Sequence, residues 1–193
     1  MSNYETSQPS GVAVFTFGRF NPPTVGHKKM LGKIIEIAEE QHADSYVFVS
    51  HTQDRKKNPL YHHEKIKYMK HMFPEMQKIY LSDKVIKTPI DATLYLNKYD
   101  RIVMVVGDDR VENFTKMLNR YNGKEMKSGM YNFKSIDIIS GGERDPEMEG
   151  VSGMSASKMR EAAKNEDYIT FKQGLPNEYD GSDLLKVVKE RLN

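Results

Sequence analysis

The sequence predicts an α/β fold, in which one doubly wound parallel sheet carries helices on both faces. Two observations predict it. Short apolar strand candidates alternate with amphipathic helix candidates along most of the 193 residues, which is typical of a parallel sheet. Polar and glycine-rich segments follow directly after strand candidates, where ligands bind in such sheets. The length suits a single domain, which we expect over residues 11–175.

The elements follow from local patterns. Apolar runs predict strands over residues 12–17, 45–50, 78–81, 101–106 and 133–139. Apolar residues at helical spacing predict helices over residues 25–41, 62–72, 90–97, 111–120, 155–164, 168–173 and 182–192. Residues 1–10 are polar and predict a loose leader. Residues 176–193 predict a helical tail packed on the domain, although its leucine and valine stripe would also suit a dimer contact in a homo-oligomer.

Composition excludes several classes of protein. The 29 basic and 27 acidic residues nearly balance, which argues against a general nucleic-acid binder. The lack of cysteine excludes a disulfide framework and a cysteine-ligated metal. No signal peptide or membrane-spanning run is visible, so we expect a cytoplasmic protein without membrane contact. An RNA-binding face would need aromatics such as Tyr61, Tyr68 and Phe73, but their spacing fits the packed face of a helix.

Residues 18–27, which read GRFNPPTVGH, lie between the first strand and the first helix. A helix N-terminus attracts an anion through its N–H groups and dipole. Gly18 permits close approach of backbone or ligand, and Gly26 leaves room beside His27. His27, in the first turn, can then donate to a phosphoryl oxygen. The alternative is a plain strand–turn–helix corner that Thr24 caps.

Residues 152–160, which read SGMSASKMR, form a second motif before a helix. Ser155 is a suitable N-cap, and Ser157, Lys158 and Arg160 fall in or near the first turn. Hydroxyl groups and two cations at one place suit a triphosphate. The alternative is a capped helix with solvated basic residues. Both motifs follow strand ends, so we expect them to meet in one crevice, although they lie about 130 positions apart.

Together the two motifs resemble those of the nucleotidyltransferase superfamily that uses a His/Thr-x-Gly-His motif. Residues 24–27 fit that motif with Thr first, and residues 154–160 resemble the family's Ile-Ser-x-Thr-x-x-Arg, with Met and Ser replacing Ile and Thr. Residues 58–60 (NPL) and 107–109 (GDD) resemble further family segments in the family's order. The resemblance implies a Rossmann-like fold. It also implies transfer of a nucleoside monophosphate from an NTP to a phosphorylated acceptor, with release of pyrophosphate.

The resemblance also implies roles for particular residues. Catalysis would rest on Thr24, His27 and Arg160. Nucleotide contacts would come from Gly18, Arg19, Phe20, Gly26, Gly107, Asp108, Ser155, Ser157 and Lys158. The acceptor phosphate would meet a basic loop that holds Arg55, Lys56 and Lys57, for which a solvated loop is the alternative.

Mg²⁺ is expected on the triphosphate and not on protein ligands, because no carboxylate stands at ligand spacing from His51, His62 or His63. Asp109 would either orient the nucleotide or cap the helix that starts at residue 111. The turn-rich residues 141–146 receive no chemical role.

The substrates are predicted from a narrower likeness. The Gly-Arg-Phe-x-Pro of residues 18–22 and the Ser-His-Thr of residues 50–52 look similar to nicotinamide-mononucleotide adenylyltransferases of the archaeal kind, which favours ATP and a mononucleotide acceptor. Cytidylyltransferases and pantetheine-phosphate adenylyltransferases are the alternatives on the same scaffold. A nucleotide-binding module without turnover is the alternative of another class. The presence of His27 and Arg160 favours an enzyme.

Overall fold

One parallel sheet of five strands organises the described part of the chain. The computed structural model describes residues 11–81, 86–142 and 153–192. The strands are β1 (Val12–Gly18), β2 (Asp44–Val49), β3 (Tyr80–Leu81), β4 (Arg101–Val106) and β5 (Ser135–Ser140). They lie in the order β3-β2-β1-β4-β5, and all neighbours are parallel. The predicted fold class is confirmed. Because the order reverses between β1 and β4, a crevice opens at their carboxyl ends.

Helices cover both faces of this sheet. They are α1 (Val25–Gln41), α2 (His62–Met72), α3 (Pro89–Tyr95), α4 (Val111–Tyr121), α5 (Ala156–Lys164), α6 (Tyr168–Lys172) and α7 (Ser182–Leu192), with 3-10 helices at Pro74–Lys78 and Asp108–Arg110. On one face, strand residues such as Val14 and Val103 pack with α1, α2, α5 and α7. On the other, alternate residues such as Phe15 and Met104 pack with α3 and α4. The two cores follow from the two-residue period of the strands.

The apolar stripe of α7 packs within the chain. Leu184 and Val188 are fully buried in the core that they share with α5, and Leu185 and Leu192 pack against it. Arg191 also donates to Glu64 of α2 over 3.1 Å. The stripe is therefore covered by its own domain and is not exposed for a dimer contact. A homo-oligomer stays a prediction.

Two strands begin later than their sequence patterns predict. We expect β3 from residue 78, but it starts at Tyr80, because a 3-10 helix extends to Lys78. We expect β5 from residue 133, but it starts at Ser135. The side chain of Asn122 accepts from the N–H of Phe133 over 2.9 Å and donates to its carbonyl over 3.0 Å. These bonds replace the sheet hydrogen bonds of Phe133, whose ring remains in the core.

The aromatic residues that an RNA-binding face would need are mostly internal. Tyr68 and Phe73 are buried, and Tyr61 alone of the three is exposed. Stacking of bases on this face would need accessible rings. None of the helices in the described part of the chain is long and apolar enough to cross a bilayer. The predicted leader and residues 143–146 of the turn-rich loop lie outside the described residues.

Candidate active site

His27 is oriented by the residue that starts its helix. Thr24 is the N-cap of α1 and is buried. Its backbone N–H donates to Nδ1 of His27 over 2.9 Å, and its Oγ1 lies 3.1 Å from the same nitrogen. Because a backbone N–H can only donate, Nδ1 must accept, and the proton of the neutral ring lies on Nε2. The half-buried imidazole is therefore set to donate from Nε2.

The N-terminus of α1 offers fewer backbone donors than its sequence predicts. The N–H of Val25 donates to the carbonyl of Gly174 over 2.9 Å, and the N–H of His27 turns back to Thr24 over 2.9 Å. Two of the first-turn N–H groups are therefore engaged within the protein. An anion bound at the N-terminus of α1 would therefore be held mainly by side chains.

Gly18 makes room for an aromatic ring. A Cβ atom on Gly18 would lie 2.7 Å from the ring of Phe20, which is closer than real contacts allow. Phe20 has a positive φ of 47° and is only 1% exposed. Its ring packs on the imidazole of His27, with centroids 4.8 Å apart. The close approach predicted at Gly18 is thus made by Phe20, and a direct contact between Phe20 and nucleotide stays a prediction.

The structure brings the second motif against the first. Ser155 is the N-cap of α5, as predicted, and its Oγ accepts from the N–H of Lys158 over 3.2 Å. Arg160 donates through Nη1 to the carbonyl of Asn21 over 2.8 Å and through Nη2 to Oγ of Ser157 over 2.9 Å. The bond to Asn21 joins residues 139 positions apart. The two motifs therefore meet at the carboxyl end of β1.

Positive charge accumulates at this corner. Burial lowers the pKa of the Arg160 guanidinium, and the positive charge of Arg19 lowers it further. Burial and then Arg19 also lower the pKa of the Lys65 ammonium, to about 8. The negative charge of Asp54 opposes both shifts. Arg19 thus acts on both other cations, and Asp54 is the carboxylate that interacts with both. A bound phosphate would stabilise this arrangement.

The predicted acceptor loop is a turn that Asp54 holds. Its Oδ1 accepts from the N–H groups of Lys56 and Lys57 over 2.9 and 2.7 Å, and its Oδ2 accepts from the side chain of Asn58. These bonds, that of Asn58 first, lower the pKa of Asp54 to about 2. Arg55, Lys56 and Lys57 are exposed at the tip. The loop therefore presents cations on a fixed backbone, and their contact with an acceptor stays a prediction.

The ends of β4 and β5 are tied by one side-chain pair. Oγ of Ser140 donates to a carboxylate oxygen of Asp108, and the same Oγ accepts from the N–H of Gly142 over 3.0 Å. Asp108 follows Gly107, at the strand end where the nucleotide contact is predicted. The capping role considered for Asp109 is wrong, because Arg110 occupies the N-cap of α4 without a side-chain bond. Asp109 instead lies within a 3-10 helix.

Comparison with known proteins identifies the family. A family model described as cytidylyltransferase-like matches residues 15–162. The chain belongs to the cytidylyltransferase-like family. Its members are nucleotidyltransferases, so the predicted superfamily and enzyme class are confirmed.

Solved structures show the same fold at low sequence identity. The nicotinic acid mononucleotide adenylyltransferase of Plasmodium falciparum, complexed with NaAD, aligns with a TM-score of 0.52 at 14% identity and covers 84% of this chain and 93% of its own. A putative nicotinate-nucleotide adenylyltransferase from Vibrio parahaemolyticus aligns with a TM-score of 0.50 at 17% identity and covers 94% and 99%. No curated protein sequence matches the chain.

Two residues of this cytidylyltransferase-like site are missing from the sequence predictions. The side chain of Asn21 accepts from the N–H of Leu60 over 2.9 Å and donates to its carbonyl over 3.1 Å. It thereby joins the first motif to the start of α2. Lys65 lies fully buried on α2, on the stripe that also holds Tyr68 and Met72. A lysine at helical spacing on an apolar stripe is the signal that could have found it.

The described part of this cytidylyltransferase-like chain has no group of three or more histidine or acidic side chains placed to hold a metal. The oxygens of Asp54 are already bonded within their own loop. Mg²⁺ prefers several oxygen ligands and keeps part of its water shell. Magnesium on the oxygens of a triphosphate stays a prediction.

A substitution at Gly26 tests whether substrate binds at the N-terminus of α1, beside His27. Outside its chain neighbours and the backbone of its own helix, a Cβ atom at Gly26 would meet Oγ1 of Thr24, at 3.4 Å, which is an ordinary contact. Gly26→Ala should therefore leave the protein folded, with stability unchanged or raised by up to about 1 kcal/mol. We expect kcat/KM to fall by about tenfold or more, because the added methyl occupies the exposed mouth beside His27.

Gly32→Ala is the matched control for this variant. Gly32 lies on the same helix and is exposed, and a Cβ atom added there would meet open space. Gly32→Ala should gain the same stability with unchanged kinetics, as followed by thermal unfolding and steady-state assay. Equal activity of the two variants would contradict the placement of substrate at Gly26.

Proposed function

We propose that this protein transfers the AMP moiety of ATP to a phosphorylated acceptor such as nicotinamide mononucleotide and releases pyrophosphate. The proposal rests on the positions of His27 and Arg160. The His27 ring is held so that Nε2 can donate, and Arg160 of the second motif bonds to the first motif at Asn21. Donors converging on one place, beside a strand end, suit charge that develops on a transferred phosphoryl group.

The choice of substrates has two supports. The sequence likeness of residues 18–22 and 50–52 to archaeal nicotinamide-mononucleotide adenylyltransferases favours ATP and a mononucleotide. The two solved structures of similar fold are described as nicotinic acid mononucleotide and nicotinate-nucleotide adenylyltransferases. Both supports point to a pyridine mononucleotide as the acceptor, with cytidylyl transfer and pantetheine phosphate as the reactions to be compared.

In the proposed step, an oxygen of the acceptor phosphate attacks the α-phosphorus of ATP. The new P–O bond forms as the bond from the α-phosphorus to the bridging oxygen breaks, and the electron pair leaves with pyrophosphate. His27 donates from Nε2 to an α-phosphate oxygen. Thr24 orients the ring, because its backbone N–H and its hydroxyl both lie against the accepting Nδ1. A magnesium ion bound to the triphosphate would supply charge neutralisation. No covalent enzyme intermediate is needed, because alignment and electrostatics carry phosphoryl transfer.

The second motif holds the leaving group. Oγ of Ser157 accepts from Arg160, so the hydroxyl proton of Ser157 can point toward a phosphate. Oγ of Ser155 accepts from the N–H of Lys158 and has the same freedom. The guanidinium of Arg160 adds positive charge beside the β- and γ-phosphates.

The test is pyrophosphate release from a matrix of substrates. ATP, CTP, GTP and UTP are each combined with Mg²⁺ and nicotinamide mononucleotide, nicotinate mononucleotide, pantetheine phosphate, glycerol phosphate or phosphocholine. We expect turnover with ATP and a pyridine mononucleotide. Turnover with CTP or with pantetheine phosphate would replace the proposed substrates, and nucleotide binding without turnover across the matrix would indicate a non-catalytic module.

A further inference from the structure

Lys65 is a buried cation that the proposed reaction does not yet use. Its side chain is fully buried in α2. Its ammonium donates to the carbonyls of Ser50 and Thr52, each over 2.9 Å, and lies 3.5 Å from Oγ of Ser50. None of the ion pairs among the described residues includes Lys65. Its charge is therefore solvated by carbonyl dipoles and a hydroxyl group.

This buried ammonium lowers the stability of the fold, so its presence is not explained by folding. Burial, and then the positive charge of Arg19, lower the pKa of Lys65 to about 8, because both disfavour the charged form. A buried charge without an ion-pair partner costs stability, and an apolar side chain of similar volume would cost less. A buried lysine beside a candidate site is therefore a functional candidate.

The carbonyls that Lys65 holds belong to the loop between β2 and α2. Ser50 also donates its N–H to the carbonyl of Gly18 over 2.8 Å, which ties this loop to the end of β1. The loop continues into the turn of Asp54, which carries the exposed basic residues 55–57. Lys65 thus fixes one end of the predicted acceptor loop against the strand that leads to His27.

The positive charge of Lys65 also favours binding of a phosphate at this loop. Lys65 and Arg160 both interact electrostatically with Arg19 and Asp54. Asp54 is the one carboxylate among these groups, and its oxygens are bonded within its own loop. The excess positive charge at this corner is thus available to a dianionic phosphate.

We propose that Lys65 is a positioning residue for the acceptor: it holds the loop of residues 50–58 in place and adds a buried positive charge that attracts the acceptor phosphate. This inference rests on the proposed function, since it requires a phosphate monoester as the second substrate. It assigns to Lys65 no contact with the reacting atoms.

Two variants separate the two contributions of Lys65. Lys65→Gln keeps a donor for the carbonyls and removes the charge, whereas Lys65→Met removes both. Lys70→Met is the control, because Lys70 lies on the same helix and is exposed. Binding of nicotinamide mononucleotide and of ATP is measured for each protein by calorimetry, and KM for each substrate is measured where turnover occurs.

We expect the Kd of nicotinamide mononucleotide to rise about fivefold in Lys65→Gln and about tenfold in Lys65→Met. The Kd of ATP should change less than about twofold, and Lys70→Met should match the wild type. A purely structural lysine would weaken both ligands alike. Equal weakening, or no change in a folded Lys65→Gln protein, would overturn the inference.

The test of Lys65 and the test of the proposed reaction can fail independently. A wild-type protein that binds nicotinamide mononucleotide without turnover would refute the reaction and leave the effect of Lys65 measurable by binding. A wild-type protein that does not bind this probe would overturn the inference together with its acceptor site. If Lys65→Met fails to fold, Lys65→Gln decides.

Discussion

Replacing His27 by alanine is expected to lower kcat about 100- to 1,000-fold, as removal of one oxyanion donor does in other enzymes. The variant loses the Nε2 donor whose orientation Thr24 sets. It also loses the packing on Phe20 and the bond from the N–H of Thr24, for which we expect a cost in stability of about 1 kcal/mol. Pyrophosphate release at saturating substrates and thermal unfolding measure the two effects.

The control for this variant is His71→Ala. His71 is exposed in the last turn of α2, so its loss should change neither kcat nor the unfolding temperature appreciably. A folded His27→Ala protein that keeps wild-type turnover would remove His27 from the mechanism. A parallel loss of turnover in both variants would point to an effect of the preparation.

Replacing Arg160 by methionine is expected to raise KM for the nucleoside triphosphate about 10- to 100-fold, because charge-assisted bonds to phosphate are strong. The variant also leaves the carbonyl of Asn21 without its bond from Nη1, at a cost of about 1–3 kcal/mol in stability. Arg160→Lys should recover only part of the loss, since one ammonium does not reproduce the two-armed contact with Asn21 and Ser157.

Arg120→Met serves as the control for Arg160. Arg120 is exposed on α4, on the other face of the sheet, and its removal should leave KM unchanged. Substrate titrations and chemical unfolding of the three variants separate binding from stability. A destabilised Arg160→Met protein with an unchanged KM would show that Arg160 only joins the two motifs.

The sequence predicts the sheet and the meeting of the motifs, because both depend on simple periodicities. Apolar strands separated by helices imply parallel neighbours, whose carboxyl ends share one edge. Ser155 as a cap and Thr24 at a helix start also follow from local preferences. Those predictions need only the type and order of the elements.

The bonds between distant segments are the part that sequence reasoning does not reach. Asn21 pairs with Leu60, and Ser140 pairs with Asp108; each bond depends on how two elements pack and not on local spacing. Lys65 is hidden for a related reason, since a lysine within an amphipathic helix is usually assigned to its solvated face. The filling of the space over Gly18 by Phe20 likewise depends on a positive φ that local pattern does not reveal.

The bond between Arg160 and Asn21 also has a consequence for the order of events during folding. It joins residues 139 positions apart, and contacts of such long range form late because the chain between them must first be ordered. On the ribosome, residues 18–27 emerge well before α5, so the corner is incomplete until α5 has emerged as well. A ligand that binds where Arg160 meets Asn21 therefore stabilises the native state and not the folding transition state. Bound nucleotide is therefore expected to slow unfolding and to leave the folding rate unchanged.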